Sequence, residues 1–221
     1  MGGSIWAGLR IAATSPYLAA LCLYIFLLTW TSIVLYLEQS RVVATVFESS
    51  ATRTQYFARI DLIVNVITLV CQLFVTNRLI ERLGVATALM FLPAISVIGF
   101  MLIGSEPTLT MLIGFAVLRR AGEYAIAKPA REVLFTVVSR EAKYKAKNFI
   151  DTAVTRGGEA ASGWIVNGIK ALGASAGQIA FVAVPVSVVW GVLGWYLARQ
   201  HDRAKAGAAP EPLPAVAAGS P

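Results

Sequence analysis

Twenty consecutive residues, 85–104, lack any charged side chain, and this run constrains the fold more than any other feature of the chain. An α-helix rises about 1.5 Å per residue, so about 20 apolar residues match the hydrocarbon thickness of a lipid bilayer. Uncharged runs also occupy residues 11–37 and 174–198. Only 14% of the residues are charged, whereas soluble domains have about a quarter. The sequence therefore predicts an all-α, polytopic membrane protein whose first partner is the lipid bilayer.

We expect six transmembrane helices forming one bundle over residues 15–199. Ser15 followed by Pro16 is typical of a helix N-terminus, because proline fits the first helical turn. The predicted spans are about 15–37, 61–77, 85–104, 107–127, 148–169 and 174–198. Residues 1–14 are predicted to be a cytoplasmic N-terminus, and residues 200–221 a disordered cytoplasmic tail.

The distribution of lysine and arginine predicts the orientation, because cytoplasmic loops are enriched in these residues. With the N-terminus inside, twelve of them lie on the cytoplasmic side and four on the opposite side. The twelve are Arg10, Arg78, Arg82, Lys128, Arg131, Arg140, Lys143, Lys145, Lys147, Arg199, Arg203 and Lys205. The four are Arg41, Arg53, Arg59 and Lys170. Both termini are therefore predicted inside, in a multi-pass protein of the cell inner (plasma) membrane.

Composition and motifs argue against several other functions. The net charge of +7 is explained by membrane topology, so it does not indicate nucleic-acid binding. The only histidine, His201, is expected in the tail beyond the last helix, and Cys22 and Cys71 fall inside spans as packing residues. No catalytic, metal-binding or phosphate-binding motif is present, so we expect neither an enzyme nor a cofactor.

Polar residues inside two spans form coherent stripes. In the second span they recur at helical spacing within an arc of about 80°. These residues are Asp61, Asn65, Thr68, Gln72 and Thr76. A second stripe in the fifth span comprises Asn148, Asp151, Thr152, Thr155, Glu159 and Ser162. The stripes predict a shared polar interior; the alternative is that their side chains only form hydrogen bonds between helices.

Charged residues concentrate where the fourth and fifth spans meet. Arg119, Arg120 and Glu123 lie on the fourth span, and Arg156 lies on the fifth between Asp151 and Glu159. We expect pairs across the two helices, joining Arg119 or Arg120 to Asp151 or Glu159, and Glu123 to Arg156. Ionisable groups within spans usually face a bundle interior or a cavity. The cluster is therefore either part of a transport pathway or gate, or a structural network.

The turn between the second and third spans, Asn-Arg-Leu-Ile-Glu-Arg-Leu-Gly at 77–84, resembles a family signature. It is similar to the Gly-x-x-x-Asp-Arg-x-Gly loop of major facilitator superfamily transporters. Glu81, Arg82 and Gly84 occupy the Asp, Arg and Gly positions, and Asn77 replaces the first glycine. The resemblance implies that Glu81 and Arg82 contact neighbouring cytoplasmic helix ends during gating.

A second stretch, 131–164, resembles the second-last helix of the ATP:ADP antiporter (nucleotide transporter) family. That family has an Arg-x-Gly-Lys element there, and its lysine contributes to nucleotide exchange. Arg156 and Gly158 match the element, and Glu159 stands where the lysine would be.

Together the resemblances cover about residues 10–200 and imply the C-terminal six-helix half of a twelve-helix transporter. The implied function is secondary active transport of a small polar or anionic solute, a nucleotide-like one included, by alternating access. The implied pathway residues are Asp61, Asn65, Thr68, Gln72, Arg119, Arg120, Glu123, Asp151, Thr155, Arg156 and Glu159. A second six-helix half would be needed, from a separate chain or by self-association. The alternative is a non-transporting membrane subunit, or a gene remnant that lacks its N-terminal half.

Overall fold

The computed structural model describes residues 15–106, 108–138 and 140–207, and within these ranges it contains helices and no strand. Two π-helical turns and one 3₁₀ turn join some of the helices. The first π turn is Glu123–Ala127, the second is Ile150–Val154, and the 3₁₀ turn is Phe135–Val137. The α-helices are α1 Pro16–Val46, α2 Ser50–Phe74, α3 Thr76–Ser105, α4 Leu109–Gly122, α5 Lys128–Leu134, α6 Arg140–Phe149, α7 Thr155–Ala171 and α8 Ala176–Gly207.

Four of the described helices are long and apolar enough to cross a membrane, so the chain is a helical membrane protein. They are Pro16–Val46, Ser50–Phe74, Gly84–Ser105 and Gly177–Gly207. Two further long helical segments are interrupted by the π turns. One runs from α4 through the first π turn to α5 and the 3₁₀ turn, and the other runs from α6 through the second π turn to α7.

The core lies between α1, α3 and α8. The α3–α8 pair is the most extensively packed, and α1 contacts both α8 and α7. At the centre, the buried Tyr24 hydroxyl donates a hydrogen bond to the Leu89 carbonyl at 2.8 Å, and the Tyr24 ring lies 5.5 Å from that of Trp190. A second buried cluster contains Phe100 and Phe115, whose rings pack edge to face at 5.3 Å. These contacts fix the helices that carry one side of the candidate site.

Helix α2 lies at the edge of the bundle. Only Ile60 and Val64 are buried along it, while Leu62, Leu73 and Phe74 are each more than 60% exposed. Such a continuous apolar surface is suited to contact with lipid chains, because water would not solvate it favourably. The few inward-facing residues of α2 therefore make its contacts with the rest of the protein.

Gly84 divides α3 into two helical parts. Its backbone has φ 79° and ψ 169°, a conformation that residues with a Cβ rarely adopt. The turn predicted at 77–84 is therefore a short helical stretch that ends at this glycine, and the apolar part of α3 starts there.

Several predicted boundaries differ from the observed helices. Helix α1 continues to Val46 and α2 already begins at Ser50. The predicted loop 128–147 is helical over most of its length, because it lacks glycine and its Pro129 sits in the first turn of α5, where proline is tolerated. Residues 200–207, predicted as disordered tail, belong to α8, because helices can extend beyond the bilayer. The predictions for residues 1–14 and 208–221 lie outside the described residues.

Candidate functional site

A cavity of about 890 Å³ lies between α1, α2, the α4–α5 segment and the segment that contains α7. It extends along α1 from Ile25 to Gln39, which corresponds to about 21 Å of helix. It opens to the surface, since the Asp61 side chain in its wall is 53% exposed. Its size is typical of cavities that bind small molecules.

The wall of the cavity carries an equal number of acidic and basic side chains, spread over α2, the α4–α5 segment and the segment that contains α7. The four basic residues are Arg119, Arg120, Lys128 and Arg131, and the four acidic residues are Asp61, Glu123, Asp151 and Glu159. Their formal charges cancel. Asp61 lies in one of the four helices suited to cross a membrane, and the other seven lie on the two segments that contain the π turns. A charged group in a membrane helix is costly unless it is paired or faces water or a cavity.

Arg119 is fully buried and joins α4 to α1. Its guanidinium donates to the Ser32 hydroxyl at 2.7 Å, the Thr31 hydroxyl at 2.7 Å and the Leu28 carbonyl at 3.0 Å. Glu123, one turn further along, lies 3.8 Å away. Because the planar guanidinium is held by three α1 acceptors, Arg119 fixes the wall of the cavity and is not free to bind a solute.

The predicted ion pairs across the fourth and fifth spans are wrong for the described residues. Arg120 instead pairs with Asp61 of α2 at 2.6 Å. Arg156 pairs with Glu159 one turn along its own helix at 3.2 Å, with 77% of the arginine side chain exposed. The sequence pattern correctly predicted that these residues have charged partners, but spacing along one helix does not specify which helix supplies the partner.

Two carbonyl groups of the first π turn lack their usual donor four residues further on, and side chains of Gln72 in α2 and Thr76 in α3 bond to them. Lys128 donates its backbone N–H to Glu123 instead of Tyr124, and Pro129 has no N–H to offer Ala125. The Gln72 amide donates to the Tyr124 carbonyl at 3.2 Å, and the buried Thr76 hydroxyl donates to the Ala125 carbonyl at 2.7 Å. This end of the second-span stripe therefore forms hydrogen bonds between helices, as the alternative interpretation of the stripe proposed.

The second π turn also borders the cavity. Its Asp151 side chain lines the wall, and Thr155 follows directly after the turn. The Thr155 hydroxyl donates to the Ile150 carbonyl at 3.0 Å, which stabilises the turn. Both π turns thus present residues to one cavity, and π turns occur frequently at functional sites.

Three charged residues of the wall lack an ion-pair or hydrogen-bond partner among the described residues: Lys128, Arg131 and Asp151. The Lys128 ammonium lies 5.8 Å from the centre of the Tyr124 ring, which gives it a cation–π contact only. These groups are the ones that the structure leaves available to a solute.

Seven of the eleven predicted pathway residues line the cavity: Asp61, Arg119, Arg120, Glu123, Asp151, Thr155 and Glu159. The other four lie outside its wall: Asn65, Thr68, Gln72 and Arg156. Asn65 is exposed on α2, and the Thr68 hydroxyl is buried with no hydrogen-bond partner in the described part of the chain. Glu81 and Arg82 are exposed near Gly84, away from the cavity, and form no ion pair with any described residue.

Sequence reasoning missed the contribution of α1. The polar or amphipathic residues Thr29, Ser32, Tyr36 and Gln39 line the cavity at alternating spacings of three and four residues. This is the spacing of one helix face, and it was the available signal. It went unnoticed because hydroxyl groups in an apolar helix usually bond to their own backbone, as Thr29 does to the Ile25 carbonyl at 2.9 Å.

His201 is another correction. It lies within α8, is 3% exposed, and its Nε2 is 3.2 Å from the Thr136 hydroxyl of the 3₁₀ turn. The Thr136 hydroxyl also lies 2.7 Å from the Val133 carbonyl, and the other imidazole nitrogen, Nδ1, lies 3.4 Å from the Asp202 carboxylate. His201 therefore ties α8 to the 3₁₀ turn after α5.

Comparison of the chain with protein-family models, with curated proteins and with solved structures gives no match. No cluster of side chains suited to hold a metal ion occurs among residues 15–106, 108–138 and 140–207. The fold and the cavity thus define a helical membrane protein with a charge-lined, open cavity.

Proposed function

We propose that the protein transports a small polar solute across the membrane through the cavity between α1, α2, α4–α5 and α7. One observation carries the proposal: a cavity of about 890 Å³ has eight charged residues in its wall, on helical segments that pack against helices suited to cross a membrane. A purely structural bundle gains little from such residues, because charges are expensive in a bilayer. A water-filled route for a polar solute explains why they are present.

The six-span topology and the facilitator-type mechanism are part of this proposal. The two long segments with π turns would act as the fourth and fifth spans, between the spans formed by α3 and α8. The bundle would sit in the cell inner membrane with both termini cytoplasmic. In the facilitator fold two six-helix halves enclose the solute at the membrane midplane, so the open side of the cavity would face a second half.

The family resemblance supports an anionic or nucleotide-like solute, while the wall residues themselves support only a polar one. Arg156 and Glu159, the positions that resemble the nucleotide transporter element, pair with each other. Of these two residues only Glu159 lines the cavity.

A second candidate is a non-transporting membrane subunit. The contacts of Arg119 with α1 and the hydrogen bonds of Gln72 and Thr76 to the first π turn favour it, because both use polar groups to hold helices together. Under this candidate the cavity would be a gap filled by a partner protein and not by water.

Cysteine accessibility separates the two candidates without knowledge of the solute. In a variant with Cys22 and Cys71 replaced, single cysteines at Ser32 and Thr155 report on the cavity, and a cysteine at Val189, which is 57% exposed on α8, is the matched control. Protein in intact membrane vesicles is treated with a membrane-impermeant thiol reagent, and the modified fraction is measured by mass spectrometry.

We expect modification at positions 32 and 155 and protection at 189, because the control faces lipid. Protection at all three positions would contradict a water-filled cavity and favour the non-transporting subunit. Modification of the control at the same rate as the cavity positions would contradict the assignment of α8 as a span. If the cavity is accessible, uptake into proteoliposomes can then be measured with candidate polar solutes.

A further inference from the structure

Positively and negatively charged side chains lie on different walls of the cavity. The basic residues Lys128 and Arg131 lie one turn apart on α5, and thus on one helix face. The acidic residues Asp151 and Glu159 lie on the segment formed by the second π turn and α7, with Thr155 between them. One wall therefore presents two cations and a neighbouring wall two carboxylates.

The remaining four charges of the cavity are committed to each other. Arg120 and Asp61 form a 2.6 Å pair, and Arg119 is held by α1 with Glu123 at 3.8 Å. On the acidic wall, Glu159 is partly neutralised by Arg156. The groups without a described partner are therefore two cations on one wall and the Asp151 carboxylate on the other.

We propose that the cavity binds a zwitterionic solute, with its anionic group against Lys128 and Arg131 and its cationic group against Asp151. This inference rests on the proposed transport function and narrows its substrate class. It follows from where the unpartnered charges lie: Lys128 and Arg131 are on one wall and Asp151 is on another, so a solute that carries both signs at separated positions pairs with both walls.

Solutes of one sign fit the site less well. A purely anionic solute satisfies Lys128 and Arg131 but places negative charge near Asp151 and Glu159. A purely cationic solute satisfies Asp151 and is repelled by the two unpaired cations. A zwitterion with separated charges satisfies both walls at once, which makes its binding depend on both.

Charge-selective labelling tests the separation of the two walls. Single cysteines replace Tyr124, whose ring contacts Lys128, and Thr155, which lies between the two acids. Each is modified with an anionic sulfonate reagent and with a cationic trimethylammonium reagent of the same thiosulfonate chemistry. The rates are normalised to those with a free thiol in solution.

We expect the anionic reagent to be preferred at position 124 and the cationic reagent at position 155. Replacing Lys128 and Arg131 together by glutamine should reduce the preference for the anionic reagent at position 124 by at least about threefold. Asp151→Asn should reduce the preference for the cationic reagent at position 155 by a similar factor, because the local electrostatic potential sets the local reagent concentration. Lys147→Gln, which removes an exposed cation paired to Glu132 outside the cavity, is the control and should change neither ratio.

Three small probes then test the zwitterion itself by protection. Glycine betaine carries both charges, choline only the cation and acetate only the anion. We expect betaine to slow modification at both positions, choline only at 155 and acetate only at 124. Betaine that protects no better than the two single-charge probes together overturns the inference, as does an identical charge preference at both cysteines. Complete inaccessibility of both cysteines instead contradicts the water-filled cavity on which the transport function rests.

Discussion

Arg119 and Arg120 are adjacent in sequence, yet they differ in burial and in partners. Arg119 is 1% exposed and donates to three acceptors of α1, whereas the Arg120 side chain is 38% exposed and pairs with an Asp61 side chain that is 53% exposed. Burial decides the energetic weight of each group, because a buried cation depends entirely on the hydrogen bonds around it.

We predict that Arg119→Gln destabilises the protein by about 3 kcal/mol or more, because it leaves Glu123 without its cation and removes the hydrogen bonds to α1. Arg120→Gln should cost only about 0–1 kcal/mol, as exposed ion pairs do. The apparent melting temperature of the protein in nanodiscs measures both. Arg119→Lys should fall between the two variants, since a single ammonium cannot reach all three acceptors. Equal loss in Arg119→Gln and Arg120→Gln would contradict the role of burial.

At the scale of helices, the first π turn is stabilised by a neighbour. Its Ala125 carbonyl, freed by Pro129, receives the buried Thr76 hydroxyl, and its Tyr124 carbonyl receives the Gln72 amide. Within a membrane a free carbonyl costs several kcal/mol unless another group bonds to it. Gln72 of α2 and Thr76 of α3 therefore contribute to the shape of the cavity wall that the first π turn forms.

Thr76→Val tests this contribution, because valine keeps the shape of threonine and removes the hydroxyl. We expect a loss of about 1–3 kcal/mol, the cost of leaving a buried acceptor unsatisfied. Thr45→Val is the matched control: its exposed hydroxyl bonds only to the Val42 carbonyl of the same helix, so it should change stability little. Thermal unfolding of both variants checks the difference, and an unchanged Thr76→Val variant would show that water or another group replaces the hydroxyl.

Gly84 gives a second prediction at this scale. With φ 79° and ψ 169°, it cannot be replaced by alanine without strain, although no atom lies within 4 Å of the added Cβ. We expect Gly84→Ala to cost about 1–3 kcal/mol. Gly157, which also has open space around its Cβ position but lies in a helix, is the control, and alanine there should stabilise by about 0.5–1 kcal/mol. If both variants gain stability, Gly84 does not require its left-handed backbone.

The sequence predicted the positions of the helices better than it predicted which side chains pair between them. Hydropathy and charge located the apolar part of α3. The 100° periodicity of the predicted second span placed Asp61, Gln72 and Thr76 on one face, and all three contact the segment from α4 to α5. Periodicity describes one helix at a time, so it could not show that Arg120 pairs with α2 instead of the fifth span. The π turns were invisible for a similar reason, since they depend on Pro129 and on acceptors being satisfied from another helix.

At the scale of the whole molecule, charged side chains are exposed near the open side of the cavity. Asp61, Glu159 and Arg156 lie in the middle of long helical segments with side chains that are 53%, 42% and 77% exposed. Lipid chains cannot stabilise such charges. Under the proposed six-span topology, a protein surface or a water-filled space must therefore cover this side in the membrane, whichever solute the cavity takes.

We predict that the open side of the cavity faces a second copy of the chain or a separate six-helix half. The test uses a background without Cys22 and Cys71 and a single cysteine at Tyr36, which is 56% exposed and lines the cavity. When native membranes are treated with a bifunctional thiol crosslinker, this variant should form covalent dimers or a discrete larger adduct. A cysteine at Val192, which is 61% exposed on the apolar surface of α8, should not. Two copies related by an axis along the membrane normal keep the same orientation, so this pairing requires no change of topology. Crosslinking at neither position, together with single-step photobleaching of labelled protein in membranes, would show a monomer and contradict the prediction. Equal crosslinking at both positions would indicate random collision instead of a defined interface.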